Sequence, residues 1–305
     1  MGHSKSKSGA YPDPLIVSST LSCKETFIIL HGRGSNAEKF SSALLDTKLP
    51  DGQTFQTVFP HAKFVFPTAS RRRAVVYNRS FIHQWFDNWT LDKPSKKEEL
   101  QIEGLCETSA YIHDLLQKEI AIVGAKNVVL GGLSQGCAVS LASLLTWEGE
   151  PYAAQFGMCG WIPFRTHMAD IVNPDEVSDK AEDGEPDLFA HDPENDSEEI
   201  SPAAQAVAYL REELDLPVKS QPSMAFQHVQ LFLGHGVEDE KVPFSQGKDT
   251  GDLMKRLGID VTWKEYEGLA HWYSSAMLGH LVEWLREKTK WDSTEGTTEQ
   301  ITVDR

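Results

Sequence analysis

One stretch, residues 128–141, constrains the fold of this chain more than any other. It begins with apolar residues, passes through Gly132-Leu133-Ser134-Gln135-Gly136, and continues with small residues typical of a helix. The pentapeptide fits the G-x-S-x-G nucleophile elbow, in which a serine lies on a sharp turn between a strand and a helix. Glycines are needed on both sides because side chains there would collide with the neighbouring strand or helix. The stretch therefore predicts a strand, a strained turn with Ser134 at its tip, and a helix whose first amide faces a developing oxyanion.

Short apolar runs alternate with helical patterns along the rest of the chain. This alternation is typical of an α/β fold with a mostly parallel central sheet and helices on both faces. Residues 71–88 interrupt it and are predicted to form a long loop. The other predicted strands are 26–30, 62–66, 155–161, 229–233 and 261–267, and the predicted helices include 98–123, a short one from Ser201 to Leu214, 245–257, and a last one through Met277 and Leu285.

With 305 residues, the chain is long enough for one large α/β domain, which we expect to span residues 15–291. Residues 1–14 are predicted to form a flexible arm, and residues 292–305 a polar tail. We expect an acidic insertion at about residues 175–222. Its first part, residues 175–199, holds twelve acidic residues and one lysine, a composition typical of a mobile segment.

Composition excludes several functional classes. No run approaches eighteen apolar residues, and no apolar core of a signal peptide is present, so neither a spanning helix nor stable membrane insertion is expected. The formal net charge of -16 disfavours nucleic acid as a partner. Met1-Gly2-His3 fits the myristoylation pattern only superficially. The scattered cysteines predict free thiols, no metal or cofactor, and a reducing, cytoplasmic compartment; they are Cys23, Cys106, Cys137 and Cys159.

Two residues stand where the partners of a nucleophilic serine are needed. A serine hydroxyl requires a base to take its proton and an acid residue to orient that base. In the α/β-hydrolase arrangement these follow the serine as Asp or Glu and then His, each in a loop after a strand. Asp239 follows the strand that ends at Leu233, and His271 follows the strand that ends near Glu267. Because the carboxyl ends of parallel strands face one crevice, Ser134, Asp239 and His271 are predicted to converge as a catalytic triad.

The sequence leaves rivals for two of these roles. Glu238 is adjacent to Asp239 and competes as the acid, whereas His235 and His280 compete with His271 as the base. The second oxyanion donor is expected in the loop after an early strand, where Gly32-Arg33-Gly34 lets the backbone approach closely. We therefore predict the amides of Arg33 and Gln135 as the oxyanion hole. The Arg33 side chain is left with two possible roles, covering the mouth of the site or attracting an acidic group.

Further motifs stand along the chain: Leu30-His31-Gly32-x-Gly34, Trp85-Phe86-Asp87, the elbow, His235-Gly236 with Asp239 and Val242-Pro243, and Tyr266-Glu267-Gly268 with His271. With these motifs the chain resembles the phospholipase/carboxylesterase family, which includes the acyl-protein thioesterases. The resemblance implies an α/β-hydrolase fold, a Ser134–Asp239–His271 triad, and the Arg33 and Gln135 amides as oxyanion donors. It also places Trp85 and Phe86 near the acyl site, and Trp161 is a further apolar candidate for substrate binding.

Two departures from the family pattern bear on specificity. Thioesterase members usually carry Leu followed by Gly-Asp where this chain has Arg33-Gly34-Ser35, which changes the rim of the pocket. The acidic insertion has no counterpart in the compact members, and it is predicted either to act as a lid or to be irrelevant to catalysis.

We therefore predict a serine hydrolase that cleaves carboxylic esters or thioesters, with S-acylated proteins as a candidate substrate class. A lysophospholipase is the first alternative, with Arg33 as the candidate contact for a charged headgroup. A non-catalytic hydrolase-like module, whose acidic insertion binds a basic partner, is the second.

Overall fold

The computed structural model describes residues 10–173, 200–217 and 223–291. Most of the predicted arm, most of the acidic insertion and the polar tail lie outside these ranges. Within the predicted arm, Tyr11 stacks on Tyr111 with ring centroids 4.0 Å apart. Its hydroxyl lies 2.7 Å from that of Thr108, so the end of the predicted arm packs against the domain.

The order of elements follows the predicted alternation of strands and helices. In the described ranges, the strands are β1 Leu15–Val17, β2 Glu25–Leu30, β3 Ala62–Phe66, β4 Arg71–Ala74, β5 Ser80–His83, β6 Val128–Leu133, β7 Ala154–Met158, β8 Gln230–Gly236 and β9 Val261–Tyr266. The α-helices are α1 Ala37–Asp46, α2 Phe55–Val58, α3 Ile102–Val123, α4 Gln135–Leu145, α5 Arg165–Val172, α6 Pro202–Glu213, α7 Phe244–Arg256 and α8 Ser275–Thr289.

The central sheet has seven strands in the order β1-β3-β2-β6-β7-β8-β9. Its neighbours are parallel except for β1, which pairs antiparallel with β3 at one edge. The carboxyl ends of β2, β6, β8 and β9 therefore meet at one edge of the sheet, where loops from different strands can build a shared site. This confirms the predicted α/β-hydrolase fold.

Two apolar clusters cover the two faces of the sheet. Alternate residues of a strand point to opposite faces, so Ile28 and Leu30 pack with α3, α4 and α7, whereas Phe27 and Ile29 pack with α1, α2 and α8. All six residues of β2 are buried. The fully apolar run that predicted a central strand thus follows from burial on both sides.

The prediction of a long loop over 71–88 is wrong. Strands β4 and β5 form an antiparallel hairpin there, separated by a short 3₁₀ turn. Arg72 alternates with exposed arginines and is buried, with its guanidinium 2.5 Å from the Glu107 carboxylate. A buried arginine hides the apolar alternation that normally reveals a strand.

Two further boundaries differ from the predictions. The strand predicted over 155–161 ends at Met158, and the helix predicted from Glu98 begins at Ile102 after a 3₁₀ turn over Glu98–Leu100. The helix predicted from Ser201 is present as α6. The Ser201 hydroxyl accepts the Ala204 amide at its start, and α6 buries Val207 and Leu210 in the apolar cluster of α3 and α4. The described part of the predicted insertion therefore belongs to the packed core.

Candidate active site

The elbow is built as a strained turn between β6 and α4. Ser134 has φ 57° and ψ -119°, a backbone conformation that is costly for any residue with a side chain. A Cβ placed on Gly132 would lie 2.4 Å from the carbonyl carbon of Gly136. One placed on Gly136 would lie 2.4 Å from the Leu30 carbonyl oxygen, on the neighbouring strand β2. Glycine is required at both positions because backbone atoms occupy the space of a side chain.

The structure brings Ser134, His271 and Asp239 into one chain of hydrogen bonds. His271 Nδ1 lies 2.7 Å from Asp239 Oδ2, and His271 Nε2 lies 2.8 Å from Ser134 Oγ. A carboxylate only accepts hydrogen bonds, so Nδ1 carries the proton and Nε2 accepts from the serine hydroxyl. The arrangement prepares Nε2 to take the serine proton.

Asp239 is held as a carboxylate by four hydrogen bonds. Its Oδ1 accepts the amides of Lys241 and Val242 at 2.9 Å each, and its Oδ2 lies 3.2 Å from His235 Nε2 as well as against His271. Burial alone would raise the pKa of Asp239, but the hydrogen bonds from His235, His271 and Val242 together hold it well below its usual range. The group is therefore ionised at neutral pH.

The rival residues occupy other environments. His235 contacts Asp239 and donates to the Val242 carbonyl at 3.0 Å, and its imidazole packs between aromatic rings. His280 lies 3.1 Å from the Tyr266 hydroxyl. Glu238 is exposed to solvent, whereas Asp239 is buried. The geometry thus distinguishes the predicted acid and base from their neighbours.

The two predicted oxyanion donors flank the elbow. Gln135 is the first residue of α4, so its amide has no acceptor within the helix. A Cβ placed on Gly32 would lie 3.4 Å from the Cβ of Ser134, which brings the Gly32–Arg33 peptide against the serine. The loop after β2 therefore passes beside Ser134, and the start of α4 adjoins it on the other side.

The Arg33 side chain is fixed rather than extended into solvent. Its Nη1 donates to Asn88 Oδ1 at 2.9 Å, and its guanidinium stacks 5.2 Å from the centroid of the Tyr77 ring. Asn88 Oδ1 also accepts from the Gln135 side chain at 3.3 Å. The guanidinium is thus attached to the elbow through Asn88.

The predicted substrate contacts Trp85, Phe86 and Trp161 lie together in the apolar cluster of α3 and α4. Phe86 and Trp161 meet edge to face at 6.1 Å between centroids. The Gln135 side chain holds this segment in place: its Oε1 accepts the Trp85 amide at 3.0 Å and its Nε2 donates to the Phe86 carbonyl at 2.8 Å. All three rings are at most 1% exposed, so they belong to the packed core next to the Gln135 side chain.

Several residues near the site are not predicted from the sequence. Tyr77 and Asn88 lie in the segment that was predicted as a loop, and both contact Arg33. His31 and His83 also contact this loop: His31 Nδ1 lies 2.7 Å from the Gly32 carbonyl oxygen, and the His83 carbonyl accepts the Gly34 amide at 2.8 Å. The sequence feature that points to His31 is its position directly before Gly32-Arg33-Gly34, the loop predicted to supply an oxyanion donor.

Other chemistry is absent from the described ranges. They contain no cluster of three or more His, Cys, Asp or Glu residues able to hold a metal ion. No helix described there is long and apolar enough to cross a membrane. The four cysteines are free thiols. Burial raises the pKa of Cys159 to about 12, so this thiol next to the His271 loop is protonated at neutral pH.

Comparison with known families identifies the chain. The sequence model described as Phospholipase/Carboxylesterase matches residues 12–178, which is more than half of the chain. The protein belongs to the phospholipase/carboxylesterase family. A second model, the Prolyl oligopeptidase family, matches residues 107–294. Membership of the phospholipase/carboxylesterase family confirms the expected class, an enzyme that hydrolyses carboxylic esters or thioesters.

Relatives of this family member match nearly the whole chain. Acyl-protein thioesterase 1 of Gibberella zeae is 26% identical over 278 residues, covering 90% of this chain and 95% of that protein. A probable carboxylesterase SOBER1-like of Arabidopsis thaliana is 23% identical, covering 90% and 82%. The structure of Zea mays acyl-protein thioesterase 2 superposes with a TM-score of 0.61 at 22% identity, covering 92% of this chain and 100% of that one. The last match supports the fold.

Proposed function

We propose that this protein is a serine hydrolase that transfers an acyl group from an ester or thioester to Ser134 and then to water. One observation carries the proposal: the continuous hydrogen bonding from Ser134 through His271 to Asp239, at 2.8 and 2.7 Å. A buried carboxylate, a neutral imidazole and a strained serine in this order supply a nucleophile with its base already in contact.

The reaction proceeds in two halves. Ser134 Oγ attacks the substrate carbonyl carbon while His271 Nε2 takes the hydroxyl proton, and the carbonyl oxygen becomes an oxyanion between the Arg33 and Gln135 amides. The intermediate expels the leaving alcohol or thiol, which receives the proton from Nε2. Water then attacks the acyl-enzyme, gives its proton to Nε2, and the acid leaves as Ser134 regains its hydrogen. Asp239 holds the imidazole in the required tautomer throughout.

The substrate we propose carries an apolar acyl chain. The relatives include proteins named acyl-protein thioesterases, and the Trp85–Phe86 segment is hydrogen bonded to the Gln135 side chain, so apolar core residues stand next to the elbow. S-acylated proteins are therefore the proposed physiological class. No cofactor, metal ion or nucleic acid has a part in this proposal.

The proposal is tested with matched oxyesters and thioesters of increasing acyl length, with Ser134→Ala as the blank. We expect kcat/KM to rise with chain length by up to about fourfold per methylene, the value of about 0.8 kcal/mol for each one buried. Long-chain thioesters should be the better series if protein deacylation is the function. Hydrolysis no faster than the blank with every substrate would contradict the proposal.

One observation favours a second candidate, the hydrolysis of lysophospholipids. The Arg33 guanidinium is fixed beside the elbow, and its contacts with Asn88 and Tyr77 occupy two of its five N–H donors among the described residues. A guanidinium presented in this way suits the phosphate of a headgroup.

Replacing Arg33 with leucine separates this candidate from the first. Leucine keeps the backbone amide but removes the cation, so we expect kcat/KM for a lysophospholipid to fall about tenfold relative to a neutral monoacylglycerol with the same acyl chain. The neutral substrate serves as the internal control for any effect on the oxyanion hole. An equal loss with both substrates would exclude a headgroup contact by Arg33.

A further inference from the structure

Both peptide groups that flank Arg33 are held in a closed ring of hydrogen bonds that involves two histidines. His31 Nδ1 lies 2.7 Å from the Gly32 carbonyl oxygen, and His31 Nε2 accepts the Ala69 amide at 3.1 Å. The Ala69 carbonyl accepts from His83 Nδ1 at 2.7 Å, and the His83 carbonyl accepts the Gly34 amide at 2.8 Å. The ring therefore runs from the Gly32 carbonyl through the side chain of the adjacent His31, then through Ala69 and His83 of other segments, and back to the Gly34 amide.

The hydrogen bonds assign the tautomer of His31. A backbone amide only donates, so Nε2, which faces Ala69, carries no proton, and Nδ1 is the donor to Gly32. Burial lowers the pKa of His31 to about 4, so the ring is neutral at pH 7 and keeps this tautomer. The imidazole is fully buried, and Trp85 Nε1 donates to the His31 carbonyl at 2.7 Å.

The ring bears on the oxyanion hole because a peptide group is planar. The Gly32 carbonyl and the Arg33 N–H belong to one peptide unit and point in opposite directions across it. Fixing the carbonyl therefore fixes the direction of the N–H. The Ser35 amide also donates to the Gly32 carbonyl at 3.2 Å, but that bond lies within the same loop, whereas His31 ties the carbonyl to the buried end of β2.

We propose that His31 is a positioning residue that aims the Arg33 amide at the oxyanion by holding the Gly32 carbonyl. This inference rests on the proposed function, in which the Arg33 amide is one of the two oxyanion donors. The His31 imidazole bonds to the backbone of Gly32 and Ala69, so its effect on the reaction passes through the orientation of one peptide group. Because the oxyanion exists only in the transition state and the tetrahedral intermediate, misdirecting this amide should lower kcat and leave substrate binding unchanged.

Two substitutions separate this role from simple support of the fold. Asparagine places an amide N–H close to the position of Nδ1 and keeps the bond to Gly32, whereas leucine removes it; both lose the acceptor for Ala69. We expect His31→Leu to lower kcat about 10- to 100-fold and to leave KM within about threefold of the wild-type value. This fall in kcat does not exceed the one caused by removing a whole oxyanion donor, because the Arg33 amide is misdirected rather than lost. His31→Asn should recover most of the lost kcat.

A second measurement reads the oxyanion hole directly. A trifluoromethyl ketone forms a tetrahedral adduct with the serine, so its inhibition constant should rise with His31→Leu by the same factor as kcat falls. His113→Leu is the matched control, because it removes another histidine, half-buried, that hydrogen bonds to a backbone carbonyl, that of Ser143 at 2.8 Å, on α4. Its kcat should stay close to that of the wild type.

Three results would overturn the inference: equal kcat losses with leucine and asparagine, a change confined to KM, or a loss of thermal stability with unchanged kcat. None of these would affect the proposed function, which depends on the wild-type rate exceeding that of Ser134→Ala in the same assay. If the wild type equals that blank, the proposed function itself fails.

Discussion

Replacing Ser134 with alanine is expected to lower kcat by about 10⁴-fold or more while the fold is retained. The hydroxyl supplies the nucleophile, and no other described side chain donates to His271 Nε2, which lies 2.8 Å from it. Alanine keeps the Cβ and the positive φ of the elbow, so the backbone strain is unchanged. Steady-state kinetics with a water-soluble ester, together with the thermal unfolding midpoint, measure the two effects separately.

The control for this prediction is Ser140→Ala on the same helix. The Ser140 hydroxyl is buried and donates to the Cys137 carbonyl at 2.8 Å, so its removal also deletes a buried serine oxygen near the elbow. We expect Ser140→Ala to keep its activity and its labelling by a fluorophosphonate probe. If Ser134→Ala reacted with the probe or kept more than about 1% of the wild-type rate, another nucleophile would have to be sought.

The elbow and the sheet could be predicted from the sequence because their signals are local. Residues 128–141 contain the strand, the turn and the helix in one run, and the backbone atoms that demand glycine at 132 and 136 lie within that run or on the adjacent strand β2. Buried parallel strands such as β2 are apolar along their whole length. The order of the loops after β8 and β9 then follows from the connectivity of the sheet.

The hairpin of β4 and β5 could not be predicted in the same way. Arg72 faces the interior only because Glu107 of α3 and the Tyr11 hydroxyl meet its guanidinium there. These partners are far away in sequence, so the local pattern of Arg71-Arg72-Arg73 indicates only an exposed, charged segment. β1 was missed for a different reason: it has three residues and gains its structure from pairing with β3.

The candidate site shows the same division between local and long-range information. Asp239 and His271 could be proposed from their positions after strands, but their rivals His235 and Glu238 stand just as close to β8. The contact that separates them depends on the tertiary fold: the imidazole of His271, 32 residues further along the chain, meets Asp239. The support of Arg33 by His31 likewise passes through Ala69, which belongs to the loop after another strand.

Replacing Asp239 with asparagine is expected to lower kcat by about 10³- to 10⁴-fold, the second largest effect. The carbonyl oxygen of the new amide would keep accepting the Lys241 and Val242 amides, which turns its NH₂ group towards His271 Nδ1. Nδ1 would then have to accept, the proton would move to Nε2, and the imidazole could no longer take the proton of Ser134. The asparagine side chain has nearly the same size and shape as that of aspartate, so the substitution causes little steric change.

Glu238→Gln is the matched control for Asp239→Asn, because it removes the same charge from the adjacent residue, which is exposed. We expect its kcat to stay within about twofold of the wild type, since an exposed charge interacts only weakly with the rest of the protein.

Combining Asp239→Asn with Ser134→Ala should lower the rate no further than Ser134→Ala alone, because the effects of groups that act as one unit are not additive. Similar losses in the Asp239 and Glu238 variants would point to a general effect of charge, whereas an additional loss in the double variant would show that Asp239 acts apart from the serine. The expected pattern, a large loss at 239, none at 238 and no additivity with 134, requires that the carboxylate works through His271.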